Sequence, residues 1–176
     1  RLLPPIEAAI DPTYSCDVDC VWCNSRRVLR QRGVAGQGLG ADHLIRLVSF
    51  LADWGVRGFC FAGGGEPTLH PALWEALSVA RQRGRENAIL TNGIAIDDAH
   101  KREIAVTNCR WIGVSLDAGT PERYAQVKNT DPDNFHRVLE NVAGMVDLAK
   151  QRGARCEIAI KYLIHPSNAD QILQAC

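Results

Sequence analysis

Short apolar runs alternate with amphipathic stretches along this chain, and that alternation limits the folds open to it. Ile6–Ile10, Gly58–Ala62, Ala88–Thr91, Trp111–Leu116 and Glu157–Ile164 read as strands by length, β-branched and aromatic content and flanking turn residues. Between them, Leu44, Leu47, Val48 and Leu51 recur at helical spacing up to Gly55. Leu73, Trp74, Leu77 and Ala80 repeat the pattern between Pro71 and Gly84, and residues 97–106 give a shorter helix. Val138, Leu139, Val142, Met145, Val146 and Ala149 form a long apolar stripe, with Lys150 and Arg152 suited to its last turn before Gly153. Ser167 and Asp170 start a final helix, whereas residues 24–40, rich in Arg, Gln and Gly, read as a loop with room for one helical turn.

Five strands alternating with five helices across short connections imply a parallel sheet with right-handed crossovers, as an open barrel or a doubly wound sheet. An eight-unit barrel needs roughly 250 residues, more than the 176 present. In either parallel architecture the functional loops follow the C-terminal ends of the strands. A hydrophobic fraction of 46% excludes a disordered chain, and no apolar run approaches the ~20 residues of a membrane helix. Twenty basic residues balance twenty acidic ones, which argues against a dedicated nucleic-acid surface. The seven cysteines are an odd set without a signal peptide, so metal or catalytic use outranks disulfides and the expected location is cytoplasmic. The chain begins at Arg1 and ends at Cys176 within a helical run, so residues 1–176 are expected to be one domain lacking its C-terminal part.

Cys16, Cys20 and Cys23 stand in C-x3-C-x2-C spacing in the loop after the first strand. Three thiolates so close can converge on one metal centre. A structural zinc site wants a fourth ligand, and the nearest later candidates, His43 and Cys60, complete no second ligand pair. A cubane iron–sulfur cluster takes four thiolates, so three leave one iron open to a substrate or cofactor. Cys60, Cys109, Cys156 and Cys176 lack a compact motif and read as small hydrophobes.

The triplet, an aromatic residue before its last cysteine, and Gly64–Gly65–Glu66–Pro67 after the second strand together resemble the radical S-adenosylmethionine (radical SAM) superfamily. The resemblance runs from Ile6 to about Asn168 and implies an α/β fold, a partial (β/α)6 TIM-like open barrel truncated here after about the fifth unit. It also implies that Cys16, Cys20 and Cys23 ligate a 4Fe-4S cluster whose fourth iron binds S-adenosyl-L-methionine. Such an oxygen-sensitive enzyme cleaves that cofactor reductively to a 5′-deoxyadenosyl radical, which abstracts hydrogen from a substrate. A small molecule or peptide is the expected substrate, and a reductant such as flavodoxin or ferredoxin the expected electron source. The rival from the residues alone is a non-catalytic iron–sulfur or zinc module for electron transfer or structure.

Carried over by position, Gly64, Gly65 and Glu66 would contact the methionine amino group, since glycines admit a close ligand and a carboxylate attracts an ammonium. Trp22 would lie near the adenine. Ser115 and Asp117 would contact the ribose or methionine carboxylate; two residues apart on a strand, they point the same way. Lys128 stands where many relatives carry an arginine, and supplies charge without the bidentate fork. Asn92, in Thr91–Asn92–Gly93, resembles a common third-strand end, and Lys161 on the fifth strand would face the barrel mouth or snorkel to its edge. Arg26, Arg27, Arg30 and Arg32 read as a solvated charged face, with an anion contact above the cluster or a donor-docking patch as the alternative. No catalytic side chain can be singled out.

Overall fold

The computed structural model describes residues 2–175, so the Arg1 and Cys176 positions lie outside the described residues. Five parallel strands, β1 (Glu7–Ile10), β2 (Gly58–Phe61), β3 (Glu86–Thr91), β4 (Trp111–Ser115) and β5 (Glu157–Lys161), pair in sequence order in one unclosed sheet. The sheet and its intervening helices give an open barrel, one of the two architectures the alternation left open and the one the resemblance implies. Among the described residues no helix is long and apolar enough to cross a membrane.

Alternation along the strands separates two faces. Phe59, Phe61, Ile89, Ile112 and Val114 are buried toward the helices. Cys60, Ala88 and Trp111, matched in register on neighbouring strands, take the other face, as do Ser115 and Lys161 nearer the C-terminal ends. The helices are α1 (Asn24–Gln31), α2 (Ala41–Trp54), α3 (Leu73–Gln82), α4 (Ala99–Asn108), α5 (Pro121–Lys128) and α6 (Asp133–Arg152). Leu44, Val48 and Ala52 of α2, one turn apart each, are fully buried, and burying a side chain such as Leu44 contributes about 1.5–3 kcal/mol. Gly55 (φ 117°) and Gly153 (φ 59°) end α2 and α6 in the left-handed region, which an L side chain enters only at a cost.

Three readings change. The segment after the cysteines is not a loop with a single turn: α1 spans eight residues, with Cys23 as its N-cap. The strand-to-helix count is exceeded by α5, which opens with Thr120 accepting from the Arg123 N–H and Pro121 in the first turn. The final segment is a 3-10 helix, Ala169–Gln174, with Asn168 rather than Ser167 at its cap position.

Candidate functional site

The loops at the C-terminal ends of the strands enclose a cavity of roughly 660 Å³. Ten of the twelve residues singled out by sequence line it: Cys16, Cys20, Cys23, Gly64, Gly65, Glu66, Asn92, Ser115, Lys128 and Lys161. Trp22 and Asp117 stand behind that wall. The Trp22 ring centroid lies 6.0 Å from Lys128 Nζ, and Asp117 is buried against the same ammonium.

The cysteine loop is fixed by its backbone. Asp19 and Val21 donate their N–H groups to the carbonyls of Lys128 (2.8 Å) and Val127 (3.0 Å), and the Cys23 N–H to Cys20 (2.9 Å). At the α1 N-terminus the Cys23 sulfur accepts from the Arg26 N–H at 3.3 Å, so this side chain caps the helix. Burial pushes the Cys16 thiol up to about 11, only partly offset by the Val18 N–H. The Cys20 thiol is also raised, first by burial, with Lys128 acting in the opposite sense.

Gly65 does more than admit a ligand. A Cβ there would lie 2.3 Å from the Ser15 carbonyl oxygen and 2.6 Å from that of Thr13, so the cysteine loop itself needs this glycine. The Glu66 N–H donates to the Ser15 carbonyl at 2.7 Å, joining the two loops. The Glu66 carboxylate is 3% exposed. Oε1 accepts from the Thr68 N–H (3.1 Å), Thr68 Oγ1 (2.6 Å) and Thr91 Oγ1 (2.6 Å), and Oε2 from the Asn92 N–H (2.7 Å). The donors are shared unevenly, three on Oε1 and one on Oε2, so Oε2 is the oxygen less occupied and better able to meet a cation. Burial raises the Glu66 pKa despite these donors. Asn92 extends the brace, its Nδ2 donating to Asp17 Oδ1 at 2.6 Å.

Past β4 the chain turns through Asp117 in the left-handed region (φ 61°), so Asp117 is not the strand-phase partner of Ser115 facing a shared ligand. Its Oδ2 accepts from Lys128 Nζ (2.5 Å) and Ser115 Oγ (2.6 Å), and its Oδ1 from the Leu163 N–H (2.6 Å). Lys128 Nζ also donates to Ser115 Oγ at 3.2 Å. The two charged side chains are 2% and 1% exposed, so a buried ion pair backs the cavity wall, with Lys128 on its surface and Asp117 behind it. Lys161 closes β5 as an exposed side chain at the cavity edge.

Two parts of this arrangement escaped sequence reasoning. Asn168, fully buried, donates Nδ2 to the carbonyls of Asp117 (2.9 Å) and Leu163 (2.8 Å) and accepts from the His165 N–H at 2.8 Å. It thereby ties the segment after β5 to Asp117, while the His165 ring centroid lies 5.3 Å from that of Trp22. The turn residues Pro166–Ser167–Asn168 were the available signal. The second is the pairing of Asp19 with both Arg26 and Arg30 at 3.0 Å; Arg26 is half-buried, while Arg27, Arg30 and Arg32 are exposed as the solvated-face reading expects.

The donor set can be tested against an iron–sulfur cluster. Soft thiolates are its usual ligands. Among the described residues no three His, Cys, Asp or Glu side chains are arranged to hold a single metal ion. Cys16, Cys20 and Cys23 all line the one cavity, which suits a centre that spreads its ligands over several irons. Behind the cavity, and not among its lining residues, Tyr124 Oη is a buried hydroxyl without a hydrogen-bond partner among the described residues. Its phenol is held above the ordinary range by burial, then by negative charge on Cys20 and on Asp17, Asp117 and Glu66. The residues present fit the group.

Comparison with known proteins agrees with this geometry. The sequence model of the radical SAM superfamily matches residues 10–173. The mycofactocin maturase MftC of Mycobacterium ulcerans is 30% identical over 144 residues, 79% of this chain and 37% of the relative. The PqqA peptide cyclase of Granulibacter bethesdensis is 23% identical over 175 residues, 96% of this chain and 42% of the relative. SuiB of Streptococcus suis bound to S-adenosylmethionine superimposes with a TM-score of 0.71 at 21% identity, over 97% of this chain and 37% of SuiB. SuiB bound to the precursor peptide SuiA gives the same TM-score over 99% of this chain and 37% of SuiB. The chain thus spans about two fifths of the length of these proteins.

Proposed function

The chain belongs to the radical SAM superfamily, and on that premise we propose that residues 1–176 form one cofactor-binding unit of an enzyme that modifies a peptide. Cys16, Cys20 and Cys23 are assigned to three irons of a 4Fe-4S cluster, and S-adenosylmethionine to the fourth. The single observation that carries the reading is the convergence of three thiols, and no fourth cysteine among the described residues, on the cavity that the Gly64–Gly65–Glu66 turn also lines. When bound, the cluster delivers one electron to S-adenosylmethionine, which yields methionine and a hydrogen-abstracting 5′-deoxyadenosyl group.

The protein's part is recognition and enclosure. Glu66 Oε2, the carboxylate oxygen with a single donor, suits the methionine ammonium, with Gly64 and Gly65 giving its approach. Ser115 offers a hydroxyl on the opposite wall, held by Asp117 and Lys128. Lys128 supplies a positive field for the methionine carboxylate, although its direct partner is Asp117. Trp22 backs that ammonium and is assigned to the adenine side, where Asn92 braces the loop. Lys161, exposed at the mouth, is assigned to an anionic group of cofactor or substrate.

The peptide assignment draws on the PqqA peptide cyclase and on the peptide-bound SuiB structure. An external electron donor such as flavodoxin or ferredoxin completes the reaction. A reducing compartment, the cytoplasm, suits the free cysteines among the described residues. The test is anaerobic reconstitution of the protein in its natural full length, followed by dithionite, S-adenosylmethionine and quantification of 5′-deoxyadenosine. The reading predicts about four irons per chain and 5′-deoxyadenosine release, accelerated by a peptide substrate. Zinc in place of iron, or a loaded cluster that leaves S-adenosylmethionine intact, contradicts it.

A further inference from the structure

We propose that Arg26 is a positioning residue that clamps the three-cysteine loop in the shape required for cluster binding. The inference rests on the cluster assignment to Cys16, Cys20 and Cys23.

Arg26 lies in the first turn of α1, three residues beyond Cys23. Its Nε pairs with Asp19 Oδ1 at 3.0 Å, while Nη1 donates to the carbonyls of Cys16 (3.4 Å) and Val18. One guanidinium therefore reaches the backbone of the first cysteine, the backbone two residues on, and the side chain just before the second cysteine. Its own backbone N–H caps the sulfur of the third. All of the loop from Cys16 to Cys23 is thus referred to one residue.

The chemistry requires arginine. A planar fork with five donors can serve two carbonyls and a carboxylate at once, whereas an ammonium cannot hold that geometry. The Arg26 side chain is 28% exposed and that of Asp19 30%, so the clamp sits at the cavity edge, where a solvated charge would gain nothing from bending inward. Arg30 steadies the carboxylate from the other side, its Nη2 lying 3.0 Å from Asp19 Oδ2. A cation held against the loop has a second consequence. It stabilises the more negative, reduced form of any centre the loop carries.

The experiment compares wild type, Arg26→Gln, Arg26→Lys and Arg27→Gln, all at full length and loaded with iron and sulfide under anaerobic conditions. Arg27 is an exposed neighbour of equal charge on the same helix. Visible absorbance during a chelator challenge gives the rate of cluster loss, and redox titration gives its midpoint potential. The clamp predicts cluster loss on the order of tenfold faster in Arg26→Gln, equivalent to about 1.4 kcal/mol. It also predicts a lower potential in that variant, recovery of the potential but not of the release rate in Arg26→Lys, and wild-type behaviour in Arg27→Gln. Circular dichroism of the apoproteins verifies folding. Asp19→Asn provides an independent variant with a similar acceleration that adds nothing to Arg26→Gln. Equal release rates and potentials in wild type and Arg26→Gln overturn the clamp and leave the cluster assignment standing. Equal acceleration by Arg26→Gln and Arg27→Gln also overturns it. A wild-type protein that takes up no iron overturns both.

Discussion

The helix-facing side of the sheet buries mainly apolar side chains, whereas the mouth above its strands buries charged and amide ones. On the first, Phe61, Ile89, Ile112, Val114, Leu44 and Val48 are fully buried, and the buried amide Asn87 gives its Nδ2 to the carbonyls of Leu77 and Asn108. At the second, Glu66, Asn92, Asp117, Lys128 and Asn168 are each at most 5% exposed. Apolar burial stabilises directly. Burial of charge costs several kcal/mol per ion and is recovered only through complete pairing. The mouth meets that condition by handing each oxygen of Glu66 and Asp117 to named donors. Its groups are held in place at little net gain in stability. The two regions should therefore respond differently to substitution.

The largest expected effect separates them on function alone. Cys16→Ala, Cys20→Ala or Cys23→Ala each reduces bound iron to background after reconstitution, while the apoprotein melts close to wild type; iron analysis beside circular dichroism checks this. Next comes the buried ion pair. Lys128→Met or Asp117→Asn leaves one buried partner uncompensated and should cost about 3–5 kcal/mol in urea denaturation. The double variant should recover most of that loss, since no lone charge remains and the amide oxygen introduced by Asp117→Asn can still accept from the Leu163 N–H. Additive losses in the double variant would break the pairing argument.

On the apolar side, Leu44→Ala should cost about 2–5 kcal/mol through lost burial and the cavity left behind. Iron bound per folded molecule should stay unchanged, because α2 contributes no cluster ligand. A smaller effect belongs to Asn168→Ala, which strands the buried Asp117 carbonyl and should cost about 1–3 kcal/mol. Asp98→Ala, at the α4 N-cap where Oδ1 accepts from the Lys101 N–H at 2.8 Å, should cost about 1 kcal/mol and leave the mouth untouched.

The same division governs what the sequence discloses. Apolar periodicity marks α2, α3, α6 and all five strands, since each follows a local rule of 3.6 or 2 residues, and Gly55 and Gly153 punctuate them. The cysteine spacing is likewise local. Helix α1, Asn-Ser-Arg-Arg-Val-Leu-Arg-Gln, has no buried residue and thus no periodic stripe. It depends on the Cys23 cap and on a carboxylate from the preceding loop. Helix α5 is too short for periodicity, although Thr120–Pro121 and the terminal Lys128 were legible as its start and stop. The partnership of Lys128 with Asp117 spans eleven residues and a left-handed turn, and that of Asn168 with Asp117 spans fifty-one. No local pattern encodes such contacts. The convergence of the three cysteines on the cavity was therefore readable, whereas the braces that hold their loop required the folded chain.

The most direct measurement is electron paramagnetic resonance of the reduced, reconstituted full-length protein with and without S-adenosylmethionine carrying a 17O-labelled carboxylate. The account predicts a shift in the cluster signal and hyperfine coupling from the label, because the proposed assignment leaves one iron unligated by the protein. An unaltered signal without coupling, at cofactor concentrations that saturate binding, contradicts it.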